Sequence, residues 1–182
     1  MKSIKEEIEK LVDKLADARR EYDRLAFDEE EPQELGAPAP PARIAAFEKK
    51  LGITLPPSYR AFLELHDGWA EFDGEAKLLA IEDQDSAWVK KRTKALGEHF
   101  AEEDEENPFE AGCVPIMVGP TERNFAVLDP RKPRKDGEMD IVTYDLAEEE
   151  DRFKDFAAYL KDQLKVTKEL IDEERSGESE ED

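Results

Sequence analysis

The sequence is poor in the residues that most often carry catalysis or bind metals. Its 182 residues include one cysteine, Cys113, and two histidines, His66 and His99. A single cysteine excludes an internal disulfide and favours a reducing compartment. The Cys/His spacing of zinc sites, the alternating carboxylates of calcium loops and the glycine-rich phosphate loops are all missing. The sequence therefore predicts no metal site and no cofactor.

A dyad of Cys113 and His66 is the remaining catalytic alternative, because nucleophilic catalysis needs a nucleophile beside an activating base. Cys113 enters a predicted strand and is typical of a small buried hydrophobic residue. His66 closes a predicted helix, where the helix dipole favours its ring. We interpret both as structural residues, so the sequence predicts no catalytic residue and a protein that is not an enzyme.

Long apolar runs and positive charge are also scarce. No apolar run approaches the about 20 residues of a membrane span, and the segment MKSIKEEIEK is acidic and unlike a signal peptide, so we expect a cytoplasmic protein. The 27 Lys and Arg residues against 48 Asp and Glu give a formal net charge of -21, which argues against nucleic-acid binding. This charge suits a basic protein partner, although solubility alone would also explain it.

The most strongly patterned stretch is IAAFEKKLGITLPPSYRAFLELHDGW, from Ile44 to Trp69. Its apolar spacing predicts a short helix that ends at Gly52, where a left-handed stop is cheapest without a Cβ. The segment Leu55-Pro56-Pro57 then forces an extended step and opens a second helix. Asp67-Gly68 turns the chain out of that helix. The stretch thus predicts a helix–corner–helix unit that buries aromatic rings.

This pattern resembles the signature of the SUKH superfamily, which includes bacterial immunity proteins and the yeast Smi/Knr cell-wall-synthesis regulators. The matching positions are Ile44, Phe47, Glu48, Leu51, Gly52, Leu55, Pro56, Tyr59, Arg60, Phe62, Leu63, Asp67 and Gly68. The resemblance implies a non-enzymatic domain that binds and neutralises a cognate toxin, with an intracellular scaffold or regulator of cell-wall or signalling proteins as the alternative. Trp69 departs from the pattern, since the family often has a small residue there.

Four segments divide the chain: a leading amphipathic helix in 1–27, an acidic and Pro-rich linker in 28–42, a SUKH-like domain in 43–174 and a disordered acidic tail in 175–182. Ser3 and Glu6 have the spacing of a capping box at the start of the leading helix. A heptad seam follows, formed by Ile4, Ile8, Leu11, Leu15, Ala18, Tyr22 and Leu25. We expect this seam to pack within a monomer, with dimerisation through it as the alternative.

The remaining pattern predicts an α+β fold. We expect strands over 77–81, 114–118, 125–129 and 140–145, a helix over 84–97 and a long helix over 152–174. Short loops favour antiparallel neighbours. The expected sheet is therefore mostly antiparallel, of about four strands, and covered by helices on one side.

A partner-binding site is predicted where the patterned stretch ends, at Asp67, Trp69, Glu71, Asp73 and Glu75. An exposed tryptophan among carboxylates would suit a basic protein, such as a toxin, because aromatic residues dominate binding hot spots. Cover for the edge of the core is the alternative interpretation of Trp69. Trp88 is predicted to be core. The acidic runs at 28–31, 102–106 and 148–151 and the basic loop at 131–135 are interpreted as solvated surface.

Overall fold

The computed structural model describes residues 1–178 and contains an antiparallel sheet with helices on both faces. The helices are α1 (Ile4–Phe27), α2 (Pro41–Leu51), α3 (Pro57–Leu65), α4 (Ala87–Glu102) and α5 (Phe156–Glu178), with a 3-10 turn at Ile81–Asp85. The strands are β1 (Trp69–Asp73), β2 (Ala76–Leu78), β3 (Val114–Val118), β4 (Phe125–Asp129), β5 (Asp140–Asp145) and β6 (Glu148–Phe153). The predicted α+β class is confirmed.

The sheet is a meander in which each strand pairs with the next, in the order β1-β2-β3-β4-β5-β6. It has six strands rather than the expected four, because β1 and β6 form its two edges. Strand β6 reads EEEDRF and is exposed along most of its length. Its carboxylates keep other strands from pairing with this open edge.

Both faces of the sheet are covered, whereas the sequence suggested one. The larger core lies between the sheet and α1, α3 and α5, and its buried aromatic members are Phe47, Tyr59, Phe62, Trp69, Phe72, Phe156 and Tyr159. On the other face, Leu96 and Phe100 of α4 pack on Phe125 and Tyr144. Successive side chains along β4 and β5 point to opposite faces of the sheet, so each of these strands contributes residues to both cores.

The heptad seam of α1 packs against α5. Ser3 caps the helix together with Glu6, as the capping box predicts. Glu7 pairs with Lys161 at 2.7 Å, and Glu21 pairs with Arg175. The spacing between the two pairs is equal on both helices, so α1 and α5 run parallel over two heptads.

The segment between α1 and α2 is held along the sheet edge. Leu35 forms a bridge with Trp69, and the N–H of Gly36 donates to the carbonyl of Gly68 at 2.9 Å. Gly36 has no room for a side chain, since a Cβ there would lie 2.1 Å from the carbonyl oxygen of Asp67. The predicted linker is therefore extended but docked, and it shields β1 from other strands.

The C-terminal helix is shifted from its expected bounds. It begins at Phe156 rather than at residue 152, because Arg152 and Phe153 complete β6. It continues to Glu178, so residues 175–178 of the predicted disordered tail are helical. The rest of that tail, 179–182, lies outside the described residues.

Candidate protein-binding surface

Three turns lie at the same end of the sheet, because alternate connections of a meander share an end. They are the β1–β2, β3–β4 and β5–β6 turns, and together they form what we call the turn end. The amide of Asn124 donates to Asp73 Oδ2 at 3.0 Å, and Arg123 Nη1 contacts Asp145 Oδ2 at 3.3 Å. These contacts join all three turns into one surface.

Carboxylates from two distant parts of the chain line a cleft at the turn end. Glu103 and Glu105 come from the loop after α4, and Asp145 and Glu148 come from the β5–β6 turn. Arg123 also lines this cleft of about 430 Å³, and it pairs with Asp145. The other three carboxylates make no ion pair within residues 1–178. The cleft therefore keeps a net negative charge that a cation from another molecule can neutralise.

Strand β6 extends this acidic surface along the sheet edge. Burial raises the pKa of the Glu150 carboxyl, and the nearby carboxylates of Asp145, Asp151 and Glu148 raise it further. Each added negative charge raises the free-energy cost of ionising the neighbouring carboxyl groups. A basic partner would relieve this repulsion when it binds.

The predicted site contributes part of the turn end. Glu71 and Glu75 are exposed and make no ion pair in the described part of the chain. Asp73 is held between Asn124 and the buried Arg19, whose Nη1 lies 3.5 Å from Asp73 Oδ1. These three carboxylates lie around the β1–β2 hairpin, at the edge of the sheet opposite to β6.

Trp69 is not the exposed anchor that the sequence suggested. Its side chain is 0% exposed, and its Nε1 donates to Gln33 Oε1 at 3.2 Å. Strand β1 directs it into the core, and a register irregularity in β1, with Glu71 at φ 50°, brings Phe72 to the same side. Trp88, expected in the core, is 41% exposed. The burial of Trp69 agrees with its alternative interpretation as cover for the edge of the core, whereas the prediction that Trp88 is core is wrong.

Asp67 has a structural position. One of its carboxylate oxygens accepts the N–H of Ile81 at 2.8 Å, and the other lies 3.3 Å from Arg43 Nη1. Its side chain is almost fully buried by these contacts. Asp67 thus fixes the turn that leads into β1 and is not presented to a partner together with Glu71 and Glu75.

The pair considered for catalysis is separated by the sheet. Cys113 packs in the core under α4, whereas His66 Nδ1 lies 3.0 Å from the carbonyl of Gly36, beside Phe62 of the opposite core. Burial raises the pKa of the Cys113 thiol to about 11, so it is protonated at neutral pH. This geometry gives no activated nucleophile at Cys113.

The described part of the chain has neither a clustered set of metal ligands nor a helix that could span a membrane. Within residues 1–178, no group of three or more His, Cys, Asp or Glu side chains is placed to hold a metal ion. None of the helices in that range has the length and apolar character needed to cross a membrane.

A comparison with protein families identifies the fold that carries this surface. The model of the SMI1 / KNR4 family (SUKH-1) matches residues 38–162. The chain belongs to this family. No curated protein matches the sequence. The SUKH-1 range contains every strand, the three turns and α4, whereas α1 lies outside it. Membership supports an immunity or regulatory protein-binding domain of a family that is generally non-enzymatic.

The cleft carboxylates are not recognisable as one site in the sequence, because the acidic runs that hold most of them are far apart and each is typical of solvated surface. One feature of the sequence does locate Asp145. The strands predicted over 114–118, 125–129 and 140–145 are expected to be antiparallel, and that alternation places Arg123 and Asp145 at one end of the sheet. The strand at 148–153 has no such pattern.

Proposed function

We propose that this protein is a non-enzymatic immunity protein that binds and neutralises a cognate toxin through the turn end. The observation that carries the proposal is the cleft in which Glu103, Glu105 and Glu148 lack an ion pair within the described residues. A basic toxin would supply lysine or arginine side chains to these carboxylates. The arginine contacts can be bidentate, which adds geometric specificity to the charge attraction.

The charge of the whole chain supports the same proposal. A net charge of -21 attracts a cationic protein over long distances and speeds the encounter. Exposed charges act mainly on the association rate and on specificity. A cytoplasmic protein with these properties would meet an incoming toxin quickly, and it would need neither a cofactor nor a metal.

A scaffold or regulator remains the alternative within the family. For this chain, that alternative requires a heptad helix that is free to recruit partners. The seam residues Ile8, Leu11 and Leu15 are buried inside the domain, so they cannot recruit a partner while α1 stays in place. We therefore prefer the immunity function, for which the turn end is already exposed.

The test is protection of a cell that co-expresses this protein with a toxin encoded beside its gene. Wild type should restore growth and should bind the purified toxin. The double variant Glu103→Lys/Glu148→Lys should lose protection and bind at least tenfold more weakly. Cys113→Ala should protect as wild type does, because neutralisation is by binding.

A matched control separates the cleft from net charge. Glu9 and Asp13 are exposed on α1 without an ion pair in residues 1–178. Glu9→Lys/Asp13→Lys changes the net charge by the same amount and should keep protection. Equal losses in the two double variants would reject the cleft as the binding site. A neighbouring toxin that neither binds nor is neutralised would reject the immunity function.

A further inference from the structure

Helix α4 carries its charges in the order opposite to its dipole. Its first half holds Lys90, Lys91, Arg92 and Lys94, and its second half holds Glu98 and Glu102. A helix carries partial positive charge at its N-terminus and partial negative charge at its C-terminus, so Lys90 in the first turn and Glu102 in the last turn sit at the less favourable end. Lys90 and Lys94 are also like charges four residues apart, which destabilises a helix. Helix stability therefore does not explain the position of Lys90.

The basic residues are turned away from the core. Val89, Leu96 and Phe100 face the sheet, and the helical period places Lys91 and Lys94 on the outer side. Both are exposed and make no ion pair within the described chain. Of the other two basic residues, Arg92 is bound to Glu122 at 2.8 Å. The hydrogen bond from Lys50 lowers the pKa of the Asp85 carboxyl, and the nearby charge of Lys90 lowers it further.

An exposed aromatic ring lies on the same side of α4 as Lys91. Trp88 is 41% exposed, and Lys91, three residues later, lies on the same side of the helix. An indole ring on the surface is costly to leave hydrated and is a frequent anchor in protein interfaces. The combination of a tryptophan and adjacent lysines is confined to the first two turns of α4.

We propose that Trp88, Lys91 and Lys94, the cationic face of α4, form a second binding surface for an acidic polypeptide segment. Carboxylates of the segment would pair with the lysines, and an apolar side chain would pack on Trp88. The face is about 9 Å long, from the six helical rises of about 1.5 Å between Trp88 and Lys94, which is the length of about three residues of extended chain. This surface is opposite in charge to the turn end and does not depend on the proposed function.

The observations favour a polypeptide over a nucleic acid. Nucleic-acid binding draws its affinity from many phosphate contacts, whereas this face offers two lysines. A nucleic acid that made many phosphate contacts would have to extend beyond this face, over the surface of a protein with a net charge of -21. A short acidic segment with an apolar residue needs only a local cationic patch.

The test uses a synthetic 12-residue peptide of Asp and Glu with two leucines, measured by calorimetry at low salt. We expect it to bind and to protect Trp88 from quenching by acrylamide, while the buried Trp69 is insensitive. Lys91→Glu/Lys94→Glu should weaken binding at least tenfold, and Trp88→Ala should weaken it as well. The control is Lys132→Glu/Lys135→Glu on the β4–β5 loop, where both lysines are exposed and unpaired in residues 1–178. It should bind as wild type.

A second measurement tests the charge arrangement without the peptide. Lys90→Glu/Lys91→Glu should melt at a higher temperature than the loop control, because a glutamate at position 90 suits the helix dipole and precedes Lys94 by four residues. The two variants have equal net charge, so global repulsion cancels. A lower melting temperature in the α4 variant would refute the claim that the lysines cost stability.

Other outcomes overturn the assignment of the partner. No binding of the peptide at low salt, or equal weakening by the α4 and loop variants, would show that α4 has no specific acidic partner. Tighter binding of a 12-nucleotide oligothymidylate, with the same dependence on Lys91 and Lys94, would make the face a nucleic-acid site instead.

Discussion

Trp69 connects the edge of the sheet to the segment that follows α1. Its ring is edge-on to Phe72, with centroids 5.2 Å apart, and its indole N–H donates to Gln33. The amide of Gln33 donates in turn to Asp23 Oδ2 at 3.1 Å. A single aromatic residue thus links β1, the docked linker and α1.

We expect Trp69→Ala to lower the free energy of unfolding by about 3–5 kcal/mol, because a large buried ring leaves a cavity. Trp88→Ala should change it by about 0.5 kcal/mol or less, since Trp88 is on the surface. Urea denaturation of both variants is the measurement. If Trp88→Ala were the more destabilising of the two, the placement of the tryptophans would be refuted.

Glu138 is a buried carboxyl group at the start of α3. It is 6% exposed and accepts the N–H of Ser58 at 2.9 Å and the Ser58 hydroxyl at 2.8 Å. The Ser58 hydroxyl also accepts the N–H of Phe156 at 3.1 Å. Burial raises the pKa of Glu138, although the bonds from Ser58 act in the opposite direction. The group therefore joins α3, α5 and the β4–β5 loop at an electrostatic cost.

This cost predicts a pH dependence. Between the unfolded pKa of about 4.3 and the higher folded pKa of Glu138, the folded state binds more protons, so this contribution to stability falls as pH rises. Glu138→Gln removes the titration. The unfolding free energy of wild type minus that of the variant should thus be larger at pH 4.5 than at pH 7. A constant difference for Glu138→Gln would contradict the assignment.

At the scale of elements, burial decided which strands could be predicted. Strands β3, β4 and β5 have the bounds expected from their apolar runs. Strand β6 is held by pairing with β5, and its exposed carboxylates carry no hydrophobic pattern. Strand β1 lacks simple alternation because of its irregular register, so Trp69 and Phe72, three residues apart, share a side.

The end of α4 shows a tertiary contact overriding a local preference. Gly97 predicted the end of the helix, yet α4 continues to Glu102. The amide of Asn107 lies over Gly97, where a Cβ would approach its Nδ2 to 2.5 Å. The glycine makes room for the returning loop, and that requirement is invisible in a local window.

The seam of α1 gives a prediction at this scale. Leu15 is 0% exposed, so Leu15→Ala should destabilise the domain by about 2–5 kcal/mol through the lost contacts and the cavity. Ile4→Ala, on the same seam but 46% exposed, should change stability by about 0.5 kcal/mol or less. Thermal denaturation with sedimentation velocity tests both. Dissociation of a dimer by Leu15→Ala, without loss of fold stability, would instead assign the seam to self-association.

At the scale of the whole molecule, composition predicts the sign of the partner's charge but not the place where the partner binds. A net charge of -21 favours a basic partner wherever the charge lies. The cleft exists because the fold brings Glu103 and Glu105 beside Glu148. Neighbours in sequence, by contrast, are separated by burial: Trp69 is inside while Glu71 is exposed. Residue order alone could not make that distinction at an irregular edge strand.

Association with a basic toxin should therefore be controlled by charge. Raising the ionic strength from about 0.01 M to about 0.15 M shortens the screening length from about 30 Å to about 8 Å, so the association rate should fall markedly. The dissociation rate should change less, since exposed charges act chiefly on encounter. Surface plasmon resonance against the toxin identified by the protection assay, at several salt concentrations, measures both rates.

Two variants locate the charge that steers this encounter. Glu103→Lys/Glu148→Lys should already associate slowly at low salt and respond weakly to added salt, because the field at the cleft is gone. Glu9→Lys/Asp13→Lys has the same net charge and should keep most of the wild-type salt response, since local potential outweighs the total at close approach. An association rate of wild type that does not depend on salt would reject steering. Identical salt responses in the two variants would show that the total charge, rather than the cleft, attracts the partner.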